Sequence, residues 1–121
     1  MFYTFRQNNS GGRFDFQPDK GIGRFVIVEA KTRQAAIQRA ERIGLYFDGC
    51  RNGRDCYCCG DRWQRYHADD PTKRPSIDDV RLPARPYRFT SRYVSTFDSQ
   101  GNTGYIHFLT GRIAPIKGVS L

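Results

Sequence analysis

The stretch RFVIVEAKTRQAAIQRAERIG, residues 24–44, joins an apolar run to an amphipathic repeat. Its first part, residues 24–29, places apolar side chains on both faces of an extended chain, which predicts a central strand that is covered on both sides. In residues 32–43 the apolar side chains recur at helical spacing, which predicts one helix with a narrow apolar stripe. Gly44 follows the stripe at the position where a left-handed helix cap is common.

The segments on either side of this unit favour further strands. Short runs with alternating or aromatic-rich patterns are separated by turns rich in Gly, Asn, Asp and Pro. The last of them, interrupted by Pro115, predicts a short edge strand, and the two before it predict a hairpin. The fold class predicted is α+β, with a mainly antiparallel sheet, one principal helix and a zinc-knuckle-like loop. The additional strands are predicted at residues 2–5, 13–17, 87–97, 104–109 and 113–119.

The length of 121 residues predicts a single domain. Within it, strands and the helix occupy the first part, a cysteine loop the second, a Pro-rich connector the third and hairpin strands the last. These four parts correspond to residues 1–48, 49–68, 69–86 and 87–121.

The chain is basic, with a formal net charge of +8, and its basic residues are spread evenly along the sequence. Bulk charge of this kind is compatible with binding to nucleic acid, but the absence of a basic arm or tail equally indicates an ordinary solvated surface. The longest apolar run is too short to span a membrane, and the N-terminus lacks the pattern of a signal peptide. We therefore expect no membrane association and a reducing cytoplasm, where thiols are favoured over disulfides.

All four cysteines fall within ten residues, in the sequence CRNGRDCYCC that begins at Cys50. Cys56 and Cys59 have the spacing of a metal knuckle, in which two thiolates converge on a tight turn. Zn²⁺ takes four such ligands in tetrahedral geometry, so the sequence predicts a structural zinc held by Cys56, Cys59, Cys50 and His67, with Cys58 as an alternative ligand. Reduced structural thiols and disulfides are the other two interpretations of the cluster.

Two catalytic interpretations compete with a structural metal. A cysteine nucleophile needs a paired base, for which His67 and His107 are the candidates. A catalytic zinc needs an open coordination position and a nearby carboxylate, which Asp48, Asp55 or Asp61 can supply. No carboxylate stands in the spacing of a known zinc hydrolase or deaminase motif.

Two polar segments are candidate binding elements. Residues 7–12 are polar and Gly-rich enough to hold an anion with backbone N–H groups, although turn chemistry favours a simple hairpin loop. The triplet from Asp61 to Trp63 can present a cation and an indole for stacking on a base. The structural alternative is that Trp63 covers the cysteine loop while Asp61 and Arg62 bind the turn.

Three segments together resemble the signature blocks of a family of small tailed-bacteriophage proteins of unknown function. They are YTFRQNNSGG at residues 3–12, IGLYFDG at residues 43–49 and DCYCCGDRW at residues 55–63. The resemblance covers the first half of the chain and implies a phage gene product that acts in the cytoplasm of an infected bacterium. Relatives in that family are often acidic, so the resemblance also implies that the basic charge is not the working feature.

If the three blocks meet in space, they form a polar rim beside the metal that suits a small polar ligand or a protein partner. The residues expected on this rim are Asn8, Asn9, Ser10, Asp48, Asp61, Arg62 and Trp63.

The leading hypothesis for function is a non-enzymatic phage accessory protein. It would bind a host protein or a small polar or nucleotide ligand, and so interfere with an antiviral defence in the manner of an anti-CRISPR or signal-sequestering protein. This part rests on analogy rather than on a site. One alternative is a zinc-knuckle protein that binds nucleic acid, and another is a small metalloenzyme acting on nucleotides. The sequence does not indicate the oligomeric state.

Overall fold

A computed structural model of the chain describes residues 1–65, 70–84, 86–91 and 96–120. Two short 3-10 helices, Ser10–Gly12 and Pro18–Lys20, lie between the first two strands. The helix and the strands are, in chain order, β1 (Phe2–Arg6), β2 (Phe25–Glu29), α1 (Arg33–Ile43), β3 (Ser76–Ile77), β4 (Val80–Arg81), β5 (Tyr87–Ser91), β6 (Asn102–His107) and β7 (Ile113–Ser120).

Five of the strands form one sheet in the order β1-β2-β6-β7-β5, and β3 pairs only with β4. The contacts β1–β2, β6–β7 and β3–β4 are antiparallel, whereas β2–β6 and β7–β5 are parallel. Three of the five strand pairings in the described residues are therefore antiparallel. The prediction of an α+β fold with one principal helix and a mostly antiparallel sheet is confirmed.

Strand β2 lies inside the sheet and is covered on both faces, as its sequence predicts. Val26 and Val28 belong to the core that contains the helix, whereas Phe25 and Ile27 belong to the core on the opposite face. Side chains alternate between the faces of a strand, so a run that is apolar at every position needs a cover on each side.

Helix α1 begins one residue after Thr32, whose hydroxyl oxygen accepts a hydrogen bond of 3.1 Å from the backbone N–H of Ala35. It ends at Gly44, whose φ of 129° is positive and whose N–H donates to the carbonyl of Ala40. The predicted helix is therefore confirmed to within one residue, and Gly44 caps it with a positive φ that lies outside the left-handed helical region. In the described part of the chain, no helix combines the length and the hydrophobicity needed to cross a bilayer.

The strand predicted at residues 13–17 is wrong. Asp15 has its backbone bound by a side chain, because the amide of Gln7 donates to the Asp15 carbonyl and its oxygen accepts from the Asp15 N–H. Strand β1 meanwhile pairs directly with β2. The alternating pattern of this segment accordingly has no neighbouring strand to join.

The hairpin predicted between residues 87–97 and 104–109 is also wrong, because β5 pairs with β7 and β6 lies between β2 and β7. Residues 92–95 of the predicted first strand lie outside the described residues. Strand β7 is not an edge strand, since it has β6 on one side and β5 on the other. Pro115 is tolerated there because it pairs with β6 only, and the pairing with β5 begins at Ile116.

The segment predicted as a Pro-rich connector at residues 69–86 contains the β3–β4 hairpin and contributes to the core. Ile77 and Leu82 are buried against the face of the sheet that lies opposite the helix. The two residues of the hairpin turn, Asp78 and Asp79, have φ values of 55° and 62°. Aspartate tolerates this left-handed conformation, which matches the twist of a two-residue hairpin.

The contact between β2 and β6 requires glycine at position 104. A Cβ atom there would lie 2.5 Å from the carbonyl oxygen of Phe25, which is backbone and cannot rotate away. We expect Gly104→Ala to lower the free energy of unfolding by about 3 kcal/mol, measured by urea denaturation. Gly53→Ala is the control, because its Cβ meets open space and only its φ of 75° opposes the change. A Gly104→Ala protein as stable as that control would contradict the packing of β2 on β6.

Candidate functional site

The guanidinium group of Arg62 joins two of the three signature segments to the cysteine loop. Its Nη1 donates to Gln7 Oε1 and to the carbonyl of Arg13, both at 2.9 Å, and its Nη2 donates to the carbonyl of Ser10 at 2.7 Å. Its Nε donates to the hydroxyl of Tyr46 at 3.1 Å. The blocks that resemble the phage family therefore meet in space around one side chain.

Asp55, within the cysteine loop, contacts two of the residues that take part in the Arg62 contacts. Its Oδ1 accepts from the hydroxyl of Tyr46 at 2.7 Å, and its Oδ2 accepts from the backbone N–H of Arg62 at 2.8 Å. Burial raises the pKa of Tyr46, and the hydrogen bond to Asp55 raises it further. Gly49 lies directly beneath the carboxylate, so a side chain at that position would displace Asp55.

Asn8 and Asp61 close the other side of the loop. The side-chain amide of Asn8 donates to the carbonyl of Cys59 at 2.8 Å, and its backbone N–H donates to the carbonyl of Arg62. Asp61 Oδ1 accepts from the backbone N–H of Cys50 at 2.9 Å. Both side chains therefore hold the loop in shape.

Trp63 is only 2% exposed and packs in the core that contains the helix. Its backbone forms an isolated bridge with Gln7, next to the end of β1. The indole is consequently not placed for stacking on a base. Its burial favours the structural role for Trp63 over the binding role.

The other two residues of the predicted rim lie at its outer edge. Asn9 is exposed, and its carbonyl accepts a hydrogen bond of 2.9 Å from Gly12. Asp48 is exposed, has a φ of 58°, and lies 3.7 Å from the guanidinium of Arg65. These residues are accessible but are not joined to the Arg62 contacts.

The thiols of Cys56, Cys58 and Cys59 form a cluster whose sulfur atoms all lie within 4.8 Å of one another. The sulfur of Cys56 is 2.9 Å from that of Cys58, and the sulfurs of Cys58 and Cys59 are 4.0 Å apart. A tight turn produces this convergence, since the N–H groups of Cys59 and Gly60 both donate to the carbonyl of Cys56. Three sulfurs at this spacing can hold a metal ion.

The grouping differs from the ligand set expected from the sequence. Cys58, predicted as the alternative ligand, joins Cys56 and Cys59, whereas the thiol of Cys50 is directed at the carbonyl of Cys56 at 3.4 Å. His67, the fourth predicted ligand, lies outside the described residues. The predicted four-ligand set therefore remains a prediction, and the structure supports three thiols as the shared part of a site.

His107 lies away from this cluster, in the sheet. Its Nε2 is 2.8 Å from the carbonyl oxygen of Gly21, and burial lowers its pKa. In the part of the chain that the structure describes, no histidine contacts Cys56, Cys58 or Cys59. A cysteine nucleophile paired with His107 is thus not supported by the geometry.

Hydrogen bonds within the cluster separate the pKa values of its thiols. The Cys58 and Cys59 side chains, with nearby backbone N–H groups, lower the pKa of Cys56 to about 7. The same contact with Cys56 raises the pKa of Cys58 to about 11, because Cys58 keeps the proton that it donates. Burial, together with Asp61, raises the pKa of Cys50 to about 11.

A lowered pKa means that the thiolate of Cys56 forms as the pH rises through about 7. In metal-free protein we expect alkylation of Cys56 by iodoacetamide to rise across this range, while Cys58 stays unreactive until far higher pH. Peptide mass spectrometry after timed alkylation measures both. Cys58→Ala removes the donor and should move the Cys56 midpoint upwards. If alkylation of Cys56 and of Cys58 in the unsubstituted protein has the same pH midpoint, the difference between their pKa values is contradicted.

A cleft runs along the outer side of the Arg62 contacts, and we call it the arginine cleft. It consists of two cavities of about 410 and 310 Å³ that share three lining residues, Arg13, Arg54 and Arg62. The guanidinium of Arg54 lies 3.7 Å from the ring centroid of Tyr46, which holds it against the wall. This cleft was not predicted from the sequence, because Arg13 and Arg54 lie 41 residues apart and outside the rim that was predicted.

The fold and the site define an α+β protein in which a loop with three clustered thiols is fastened to the end of β1. The family model named Domain of unknown function (DUF7296) matches residues 1–121, so the chain belongs to that family. Searches of curated proteins and of solved structures give no match to the chain.

Proposed function

We propose that the protein is a non-enzymatic binding protein of a tailed bacteriophage that acts in the cytoplasm of an infected bacterium. It captures a host component and so interferes with a host process such as antiviral defence, in the manner of an anti-CRISPR or signal-sequestering protein. The phage origin rests on the resemblance of the three signature blocks, and the defence role rests on analogy alone. The binding role rests on the site.

The single observation that supports binding is the arginine cleft beside the cysteine loop. Three arginines line it against two aspartates, Asp15 and Asp55, so the cleft carries an excess of positive charge that attracts anionic ligands. Arg62, Gln7 and Tyr46 hold one wall rigid through hydrogen bonds, so little ordering is required when a ligand binds. A small polar, anionic ligand or an acidic segment of a host protein suits this surface.

A structural zinc is part of the proposal. Cys56, Cys58 and Cys59 would supply three thiolates, and His67 or Cys50 the fourth ligand. Asn8 and Asp61 already fasten the loop to β1 and to Cys50. The ion would add a covalent-like cross-link within this loop, and Cys56 also lines the arginine cleft. The zinc would act as a clamp on the binding surface.

Affinity capture from infected cells, followed by native mass spectrometry of the protein, tests the proposal. We expect one host protein at fixed stoichiometry, or a co-purifying small anion, together with one zinc ion. A tagged protein of similar size and net charge is the control for non-specific capture by basic charge. Recovery of neither a host protein nor a small molecule would refute the binding role.

Binding to nucleic acid is the second candidate, favoured by one observation. Tyr57, in the middle of the cysteine cluster, is 85% exposed, and Arg51 in the same loop is exposed as well. An exposed ring beside a cation is a surface on which a base can stack. This candidate predicts binding to single-stranded DNA or RNA that weakens steeply with salt, with Tyr57→Ala weaker than the unmodified protein. Absence of binding at low salt would exclude it.

A further inference from the structure

The two halves of the arginine cleft differ in chemistry. One half, which we call the Tyr46 half, is lined by Arg13, Phe14, Asp15, Tyr46, Arg54 and Arg62. The other, which we call the Ser10 half, is lined by Ser10, Gly11, Arg13, Arg54, Asp55, Cys56 and Arg62. Both halves present the same three guanidinium groups and one carboxylate, Asp15 in the Tyr46 half and Asp55 in the Ser10 half. The Tyr46 half adds two aromatic rings, whereas the Ser10 half adds a serine and a glycine.

In the described residues, the positive charges of the Ser10 half outnumber the negative ones, with three guanidinium groups against the one carboxylate of Asp55. No carboxylate there lies within ion-pair distance of the guanidinium of Arg13, Arg54 or Arg62. Arg62 donates to neutral oxygens only, and Arg54 stacks on the ring of Tyr46. The carboxylate of Asp55 is already engaged on both oxygens, by the hydroxyl of Tyr46 and the N–H of Arg62. An anion entering this half meets an excess of positive charge.

A hydroxyl group without a partner lies in the same place. Ser10 is 1% exposed, and its Oγ has no hydrogen-bond partner among the described residues. Its carbonyl is held by Arg62, so the residue itself is fixed. A buried hydroxyl that lacks a partner costs about 1–3 kcal/mol, and an acceptor atom from a ligand removes that cost. This hydroxyl, on a residue that lines the Ser10 half, is an observation independent of the arginine charges, and it favours a ligand that brings an acceptor atom.

We propose that the Ser10 half of the arginine cleft binds the phosphate group of a small phosphomonoester. Arg13 and Arg54 donate to the phosphate oxygens, the hydroxyl of Ser10 donates to one of them, and Arg62 supplies fixed positive charge. The planar guanidinium matches phosphate geometry, which favours arginine over lysine at such a site. The flat part of the ligand, such as a nucleobase, lies in the Tyr46 half, against Phe14.

This inference rests on the proposed function, because it names the chemistry of the ligand that the cleft captures. Isothermal titration calorimetry with adenosine 5′-monophosphate, inorganic phosphate and adenosine is the test. We expect adenosine 5′-monophosphate to bind best, inorganic phosphate to bind more weakly and to compete with it, and adenosine not to bind detectably. Binding should weaken as salt increases, because charge supplies much of the affinity.

Variants of the exposed arginines locate the site without disturbing the fold. We expect Arg13→Ala and Arg54→Ala each to weaken binding of adenosine 5′-monophosphate at least about tenfold, and Ser10→Ala to weaken it by less. Arg51→Ala is the matched control, since Arg51 is exposed in the same loop but does not line the cleft. Circular dichroism confirms that each variant is folded.

The possible failures are distinguishable. If neither phosphate nor adenosine 5′-monophosphate binds, but captured protein still carries another small molecule or a host partner, the phosphate site is refuted and the binding role stands. If Arg51→Ala weakens binding as much as Arg54→Ala, the contact is diffuse and the site is refuted. If nothing binds and nothing is captured, both this inference and the proposed function are wrong.

Discussion

Replacing Arg62 by alanine is expected to lower the free energy of unfolding by about 3 kcal/mol, because hydrogen bonds to a charged group contribute more than neutral ones. The side chain donates to Gln7, Ser10, Arg13 and Tyr46, and no other residue in the described structure joins these four. Its loss removes the donor to the partly buried carbonyl of Ser10 and hydroxyl of Tyr46, and one of the two donors to Gln7 Oε1. Urea denaturation followed by tryptophan fluorescence measures the change, since Trp63 is buried next to the substituted residue.

Two further variants separate the geometry of Arg62 from its charge. Arg62→Lys keeps the charge but cannot form the same fan of hydrogen bonds, so it should recover less than half of the lost stability. Arg51→Ala removes an exposed arginine from the same loop and should change stability by no more than about 0.5 kcal/mol. Equal stability of Arg62→Ala and Arg51→Ala would show that the three segments are not held together through this side chain.

The elements that could be predicted are those whose signal is local. The helix has its apolar stripe and its Gly44 stop within one short segment, and β2 carries an apolar run that packs against a core on each face of the sheet. Strand partners are different, because the alternation in β5 and β6 is the same whichever strand lies beside them. The sequence therefore predicts that these strands exist but not that β7 separates them.

The segment after β1 shows how a single side chain overrides a local pattern. Residues 13–17 alternate as a half-buried strand does, yet the amide of Gln7 occupies the backbone of Asp15 and also accepts from Arg62. A glutamine with this role has no signature in sequence, because the contact is set by the fold. The side chain was consequently absent from the predicted site.

The site was predictable to the extent that its chemistry is concentrated. Four cysteines in ten residues indicate a thiol cluster, and three of them do converge. Which three converge was not predictable, since proximity in sequence favours Cys50, whereas the turn at Cys56 brings the exposed thiol of Cys58 next to that of Cys56. The arginine cleft could not be predicted for another reason. Arg13 and Arg54 are far apart in the sequence, and the contacts of Arg62 with Arg13 and Tyr46 bring their segments together in the fold.

The second large effect is expected when one of the clustered cysteines is replaced, because the cluster then loses a ligand for the metal. We expect Cys56→Ser to lower the affinity for Zn²⁺ at least about 100-fold, because removal of a ligand costs more than removal of its outer partners. Elemental analysis and native mass spectrometry of the purified protein report the metal content directly. Cys58→Ser should have the same effect, since the sulfur of Cys58 lies within 4.0 Å of both others.

Replacing Cys50 tests which cysteines bind the metal, because the sequence predicts Cys50 as a ligand whereas the structure places Cys58 in the cluster. Spacing alone makes Cys50 a ligand and Cys58 a reserve, whereas the structure places the thiol of Cys50 against a backbone carbonyl of the loop. If the three-thiol cluster holds the ion with His67 as its fourth ligand, Cys50→Ser retains zinc and Cys58→Ser loses it. The reverse result would mean that the loop rearranges around the metal. Retention of zinc in both Cys56→Ser and Cys58→Ser would remove the cluster as a metal site altogether.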